Sequence, residues 1–313
     1  MLPRLLIFST LTVLAFAAPS YDQSRVPLEA DAPRPGLAKI VILAGGPSSK
    51  AMAHEYFAGS ALLLEWLKQQ PGVWPVLARE WPKNERVLEG ARCIVYYGDG
   101  GGKQPFAMPQ RWATFAKLME SGAGLVLLHQ AMDFPAGPDG AAIKGWLGGV
   151  YHADIGSRGH WDMEFKNIAA HEVTRGVKPF GAPADGWLYN LHFAEKGVTP
   201  LLLGAVPDKS RSTADAKKHN GRDEVIAWAY QRPDGGRGFS FTGADLHKSW
   251  EYESQRTLVL NGILWSARLP VPADGVRVAL DPAQLELNLD DKRAAASATP
   301  AAPKKTAPKK QQP

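Results

Sequence analysis

The chain has 313 residues, 45% of them hydrophobic and 10 of them Trp, with a single cysteine, Cys93. That is enough apolar material for one large core, and a lone cysteine excludes an intramolecular disulfide framework. The formal charge of +5 is confined to residues 291–313, where Lys292, Arg293, Lys304, Lys305, Lys309 and Lys310 face only Asp291; the rest of the chain balances, so no basic face for nucleic acid is implied and nucleic acid is not an expected partner.

The opening MLPRLLIFSTLTVLAFAAPS has a positive Arg4, an apolar run from Leu5 to Phe16 and small residues at Ala15 and Ala17. This is the anatomy of a signal peptide over residues 1–17. The run is shorter than the ~20 residues of a membrane span. The expectation is an exported protein, periplasmic or extracellular, with no stable membrane insertion after cleavage. Residues 18–37 are polar and Pro-rich and read as a linker.

AKIVILAGG (38–46) then reads as a buried strand entering a glycine turn. HEYFAGSALLLEWLKQQPG puts Tyr56, Leu63, Trp66 and Leu67 on one helical face and stops at Pro71-Gly72. VWPVLAR and RCIVYYGDGGG are two further strands. PQRWATFAKLMESGAG is an amphipathic helix with Trp112, Phe115 and Met119 on one side, and GLVLL follows as a strand. This alternation predicts an α/β fold, a parallel sheet with helices on both faces.

The second half is less regular, with candidate strands in MEFK, WLYNLHF, TPLLLGAV, VIAWAY and GRGFSFTG. Residues 209–224 are polar and read as a surface excursion. ESQRTLVLNGILWSA is the last helix, 269–290 a short appendage, and 291–313 a low-complexity Ala/Pro/Lys tail with nothing to pack.

One feature of this pattern bears directly on chemistry. The apolar strand Leu125–Leu128 ends abruptly in His129, at the carboxyl end of a parallel strand, where α/β enzymes place their sites. An imidazole there titrates near neutrality and suits acid/base work. The loop Gly98 to Gly102 lacks the Lys-Ser/Thr of a nucleotide loop; it reads as a turn at the pocket mouth, with Asp99 accepting from hydroxyls beside Gly100. His54 and Glu55 stand at the start of the first helix.

KIVILAGG, AHEYFAG, YYGDGGG, SGAGLVLLH, GWLGGVYH, HEVTRGVKPF, DGWLYN, GGRGFSFTGADLH and VLNGILWSA, in this order, resemble the ThuA-like family, associated with trehalose and related sugar utilisation, over residues 38–268. The resemblance implies a flavodoxin-like, class I glutamine amidotransferase-like fold without the Cys nucleophile, so glutamine amidotransferase activity is not expected. It places His129 at the nucleophile position and His160 and His247 near the site. Asp185 and Tyr189 belong to an altered Asp-Glu-Trp-Tyr motif. Trp161, Trp187 and Trp250, near these motifs, are candidates either for the core or to stack on a sugar ring. The chain also departs from the pattern: Ser48-Ser49-Lys50 stands where many secreted members read Ser-His-Gly, and Gly243-Ala244-Asp245 where they read Gly-Gly-His.

The candidate set is therefore His129, His160, His247 and Asp185 for chemistry, with Asp99, Gly100, His54, Glu55, Tyr189 and Trp161 for substrate. The implied partner is a small sugar or keto-sugar, acted on by acid/base chemistry such as isomerisation, epimerisation or hydrolysis. A non-catalytic sugar-binding or envelope interaction module is the alternative from another class. No motif demands a cofactor. Zinc would suit the His and Asp residues, but no His-x-x-x-His pair exists, so a zinc-dependent hydrolase would have to assemble its ligands from distant loops.

Overall fold

The computed structural model describes residues 20–32 and 34–292; the signal-peptide reading of 1–17 and all of the tail after Lys292 lie outside them. In chain order come β1 (Ala38–Ala44), α1 (Tyr56–Lys68), β2 (Val73–Arg79), β3 (Ala91–Tyr97), α2 (Pro109–Glu120), β4 (Gly124–Leu128) and α3 (Pro138–Leu147). Short pieces follow: β5 (Gly149–Val150), β6 (Ser157–His160), β7 (Met163–Phe165), β8 (Phe180–Ala182), β9 (Gly186–Tyr189) and β10 (His192–Phe193). The chain then returns to the main sheet with β11 (Val198–Gly204), the single turn α4 (Ala214–Lys217), β12 (Glu224–Gln231), β13 (Arg237–Phe241) and α5 (Glu253–Ser266).

The central sheet has seven strands in the order β11-β12-β13-β4-β3-β1-β2. Five of them, from β13 to β2, run parallel, and β12 and β11 extend the sheet antiparallel. β1 shows why both faces need covering. Ile40 and Ile42 point into a core shared with α1 and α5, while Val41 and Leu43 point into one shared with α2 and α3. Successive strand residues face opposite ways, so a strand apolar at every position is stable only between two helical layers. Pro75 lies in β2, the edge strand, where a missing N–H costs no ladder bond. α3 opens on Pro138 and closes on Gly148 at φ 82°, the left-handed cap that glycine adopts without strain.

Three sequence expectations change. The linker docks: Gln23 Nε2 donates to the carbonyls of Asn288 and Leu289 at 2.9 and 3.0 Å, and Ser20 N to Glu286 O at 2.7 Å. The appendage after Arg268 is part of the core, with Val271, Val276, Leu285 and Leu289 buried. Lys292, assigned to the unpacked tail, is buried and ion-paired with Glu55. The polar excursion 209–224 does lie at the surface, and it is pinned from inside by the fully buried Arg211 guanidinium, which donates to Glu224 at 2.5 Å and to the Arg222 carbonyl at 2.6 Å. Composition could not reveal these, since a buried charge with a partner looks in sequence like an exposed one without.

Candidate active site

The parallel strands β1, β3 and β4 and their neighbour β13 end at one edge of the sheet, and there the chain makes unusual turns. His54, His129 and Ala244 all have left-handed backbones, at φ 53°, 57° and 68°. Such conformations cost a non-glycine residue ~1–3 kcal/mol each and persist only where surrounding contacts over-determine them. His129 stands in the turn directly after β4, the strand-to-turn position that exposes nucleophiles in α/β enzymes.

These turns bring three residues from distant parts of the chain together. His129 Nε2 lies 3.2 Å from His54 Nε2. Asp245 Oδ1 lies 2.8 Å from His54 Nε2 and 3.5 Å from His129 Nε2. Each member is held from behind. The His129 Nδ1–H donates to the Thr242 carbonyl at 3.0 Å, which fixes its tautomer because a carbonyl can only accept. His54 Nδ1 is 2.8 Å from Ser48 Oγ and 3.3 Å from Asp99 Oδ1, and the Tyr56 hydroxyl donates to the same Asp99 oxygen at 2.7 Å. His160 Nε2 donates to Asp245 Oδ2 at 2.8 Å.

Burial and charge pull these groups apart in proton affinity. Burial lowers that of His54, but the Asp245 and Asp99 carboxylates outweigh it and lift the pKa to about 9. For His129, burial dominates and carries it down to about 4. Burial opposes ionisation of Asp245, yet the imidazoles, His54 foremost, hold its carboxyl well below the usual range. At neutral pH the cluster therefore contains a cationic imidazole, a neutral one and a carboxylate, the inventory of a proton-transfer site.

The cluster forms one wall of a cavity of about 610 Å³, whose other walls include Gln130, Arg158, His160 and Trp187. That is within the ~300–1,000 Å³ of small-molecule sites. A second cavity of equal volume lies beside Lys39 at the opposite, amino end of β1, where Lys39 is already paired with Asp31; ligands of open α/β sheets bind at the carboxyl edge instead.

Of the residues singled out from sequence, the fold gathers His129, His54, His160 and Asp99. The others lie elsewhere. The Asp185 carboxylate is fully buried and accepts from the backbone N–H groups of Gly186, Ala244, Asp245 and Leu246 at 2.9–3.0 Å. Burial raises its pKa to about 6 against those bonds, three of which hold the turn that carries Asp245. His247 is fully buried outside the cavity, where burial pulls it down to about 4. Glu55 accepts from Met52 N and Asp290 N at 2.9 and 2.8 Å and faces Lys292, so it anchors backbone rather than substrate. Gly100 packs on the turn after β4, where a Cβ would sit 2.1 Å from the Gln130 carbonyl oxygen. Tyr189 and Trp161 meet edge to face at 5.6 Å beside the site, and the Tyr189 hydroxyl pairs with Ser210. Of the three candidate indoles, the one on the cavity wall is that of Trp187.

Asp245 was missed as a site residue, although its signal was present. It stands where the resemblance leads one to expect a third imidazole, and a carboxylate can take over from an imidazole as acceptor or ligand.

The ThuA family profile, described as trehalose utilisation, matches residues 48–266. The chain belongs to the ThuA family. That description ties this ThuA member to carbohydrate use. Among solved structures, a putative ThuA-like protein from Bacteroides uniformis aligns at 18% identity over 76% of this chain and 94% of its own, with a TM-score of 0.51. Another from Parabacteroides merdae aligns at 14% identity over 79% and 94%, with a TM-score of 0.50. A glutamine amidotransferase from Thermotoga maritima aligns at 10% identity over 74% and 96%, with a TM-score of 0.38. No curated protein matches the chain. In this ThuA chain Cys93 is fully buried in the middle of the sheet, and burial pushes its thiol far above the ordinary range; it offers no thiolate to the cavity.

Proposed function

We propose that this ThuA-family protein is an exported enzyme of carbohydrate catabolism that acts on a small sugar or keto-sugar by acid/base chemistry at the carboxyl edge of the sheet. The observation that carries the reading is the convergence of His54, His129 and Asp245 on one wall of the cavity. A charged and a neutral imidazole in contact give a proton donor and a proton acceptor a few ångströms apart, which enolisation, epimerisation or hydrolysis of a keto-sugar requires. Gln130, Arg158 and His160 supply polar atoms for hydroxyl groups, and Trp187 an apolar wall.

A non-catalytic sugar-binding module has less support, because such a site has no need of strained backbones that hold ionisable groups together. The test is a screen of small sugars and their oxidised derivatives by calorimetry and by product analysis, run beside Asp245→Asn. Sugar binding with turnover that falls ~10²-fold or more in the variant is the expected result. Sugar binding with no turnover by either protein would leave the binding module, and no sugar binding at all would overturn the reading.

A further inference from the structure

The cluster has one feature that proton transfer leaves unexplained. Asp245 is 1% exposed, and its Oδ1 has no hydrogen-bond partner among the described residues, although it lies 2.8 Å from His54 Nε2. The distance is short enough, but the direction is wrong for either ring's N–H. A buried carboxylate oxygen left in that state costs ~1–3 kcal/mol. It is accounted for if all three atoms are aimed at a common point between them.

We propose that His54 Nε2, His129 Nε2 and Asp245 Oδ1 are the protein ligands of a divalent transition-metal ion, with zinc the best match. The three separations, 3.2, 2.8 and 3.5 Å, bracket the ~3.3 Å edge of a tetrahedron built with metal bonds of ~2.0–2.1 Å. Two imidazoles and one carboxylate are a donor set that zinc takes readily, and three protein ligands leave a fourth position open. That position faces the cavity, since all three ligands line it.

The outer contacts are those a metal site needs. His129 donates its far N–H to the Thr242 carbonyl, leaving the Nε2 lone pair free. His54 has Ser48 and the Asp99 carboxylate at its far nitrogen, and Asp245 Oδ2 is held by His160. Each ligand is thus oriented by a partner on its other side, as metal-bound imidazoles and carboxylates are. The inference rests on the sugar reading for its substrate alone: a metal-bound His54 is a neutral ligand, so with an ion in place the Lewis acid would stand in for the charged imidazole and would polarise a carbonyl or hold a hydroxyl oxygen of a keto-sugar in the cavity. The donor geometry itself does not depend on the substrate.

The experiment uses the purified full chain, stripped with a chelator and titrated with Co²⁺ and then Zn²⁺, with no sugar present. One equivalent of Co²⁺ should give the intense visible bands of a tetrahedral site and be displaced by Zn²⁺. His129→Gln and Asp245→Asn should each weaken zinc by at least ~10²-fold while circular dichroism shows the fold intact. His160→Asn should weaken it by ~10-fold, the size expected when an outer partner is lost. If His129→Gln fails to fold, the less buried His54→Gln carries the same comparison. A folded wild-type chain that gives no cobalt bands, or variants that bind zinc as tightly as wild type, would overturn the metal site. Sugar turnover unchanged by chelation would overturn it too while leaving the acid/base reading standing; zinc bound at the three residues with no sugar recognised would do the reverse.

Discussion

The Lys292 ammonium lies 3.1 Å from the Glu55 carboxylate, joining the last described residue to the residue that precedes α1. Lys292 also donates to the carbonyls of Ala53, His54 and Lys50. The carboxyl-terminal segment therefore fastens the strained loop that carries His54. A cation at this point neutralises a buried carboxylate and caps three carbonyls that no strand or helix satisfies.

Removing Lys292 while keeping Glu55 should strand a buried charge. Lys292→Met is expected to cost ~3 kcal/mol and to lower the melting temperature by roughly 5–10 °C. The double variant Lys292→Met, Glu55→Gln should recover part of the loss. Truncation after Lys292 should leave the melt nearly unchanged, because Ala/Pro/Lys sequence has little to bury, whereas truncation before Asp291 should resemble Lys292→Met. Equal melts for the two truncations would show that the latch does not matter.

Asp185→Asn separates a shaping role from a chemical one. An amide offers one acceptor oxygen to four backbone N–H groups and turns an N–H₂ toward the rest. The loss should be ~2–4 kcal/mol of stability, as buried donors go unpaired, together with weaker zinc binding because Asp245 is displaced. A variant that keeps wild-type stability and zinc affinity yet loses turnover would instead place Asp185 in the chemistry.

Cys93 should be silent in the folded protein. Its side chain is fully buried between neighbouring strands, and its raised pKa removes the thiolate. A thiol reagent at pH 8 is expected to modify less than a tenth of the native protein in an hour and all of it in denaturant. Rapid native labelling would mean that the sheet opens locally.

Export predicts a mature chain that starts near Ala18. Intact mass of the protein recovered from the cell envelope or medium should fall short of the full 313 residues by the leader. Cleavage there would keep Ser20 and Gln23, which dock on residues 286–290. An intact mass equal to the full chain would count against export.

Sequence alone carried the sheet and its helices, because strands apolar at every position and helices apolar on one stripe can be buried in few ways; β1, α1, β3, α2, β4 and α5 all lie where periodicity put them. It also marked His129, since an imidazole ending four apolar strand residues has few places to go. What only the tertiary structure decided is which polar residues meet. His54, His129 and Asp245 are up to 191 positions apart, and no local pattern links them. They are brought together by strand order and by three left-handed turns whose strain is invisible in composition. The same reason explains the misplacements. Asp185, His247 and Glu55 are the right residue types beside the right motifs, but a side chain's direction follows from backbone geometry, and theirs point into the scaffold, where Asp185 and Glu55 anchor the loops around the site.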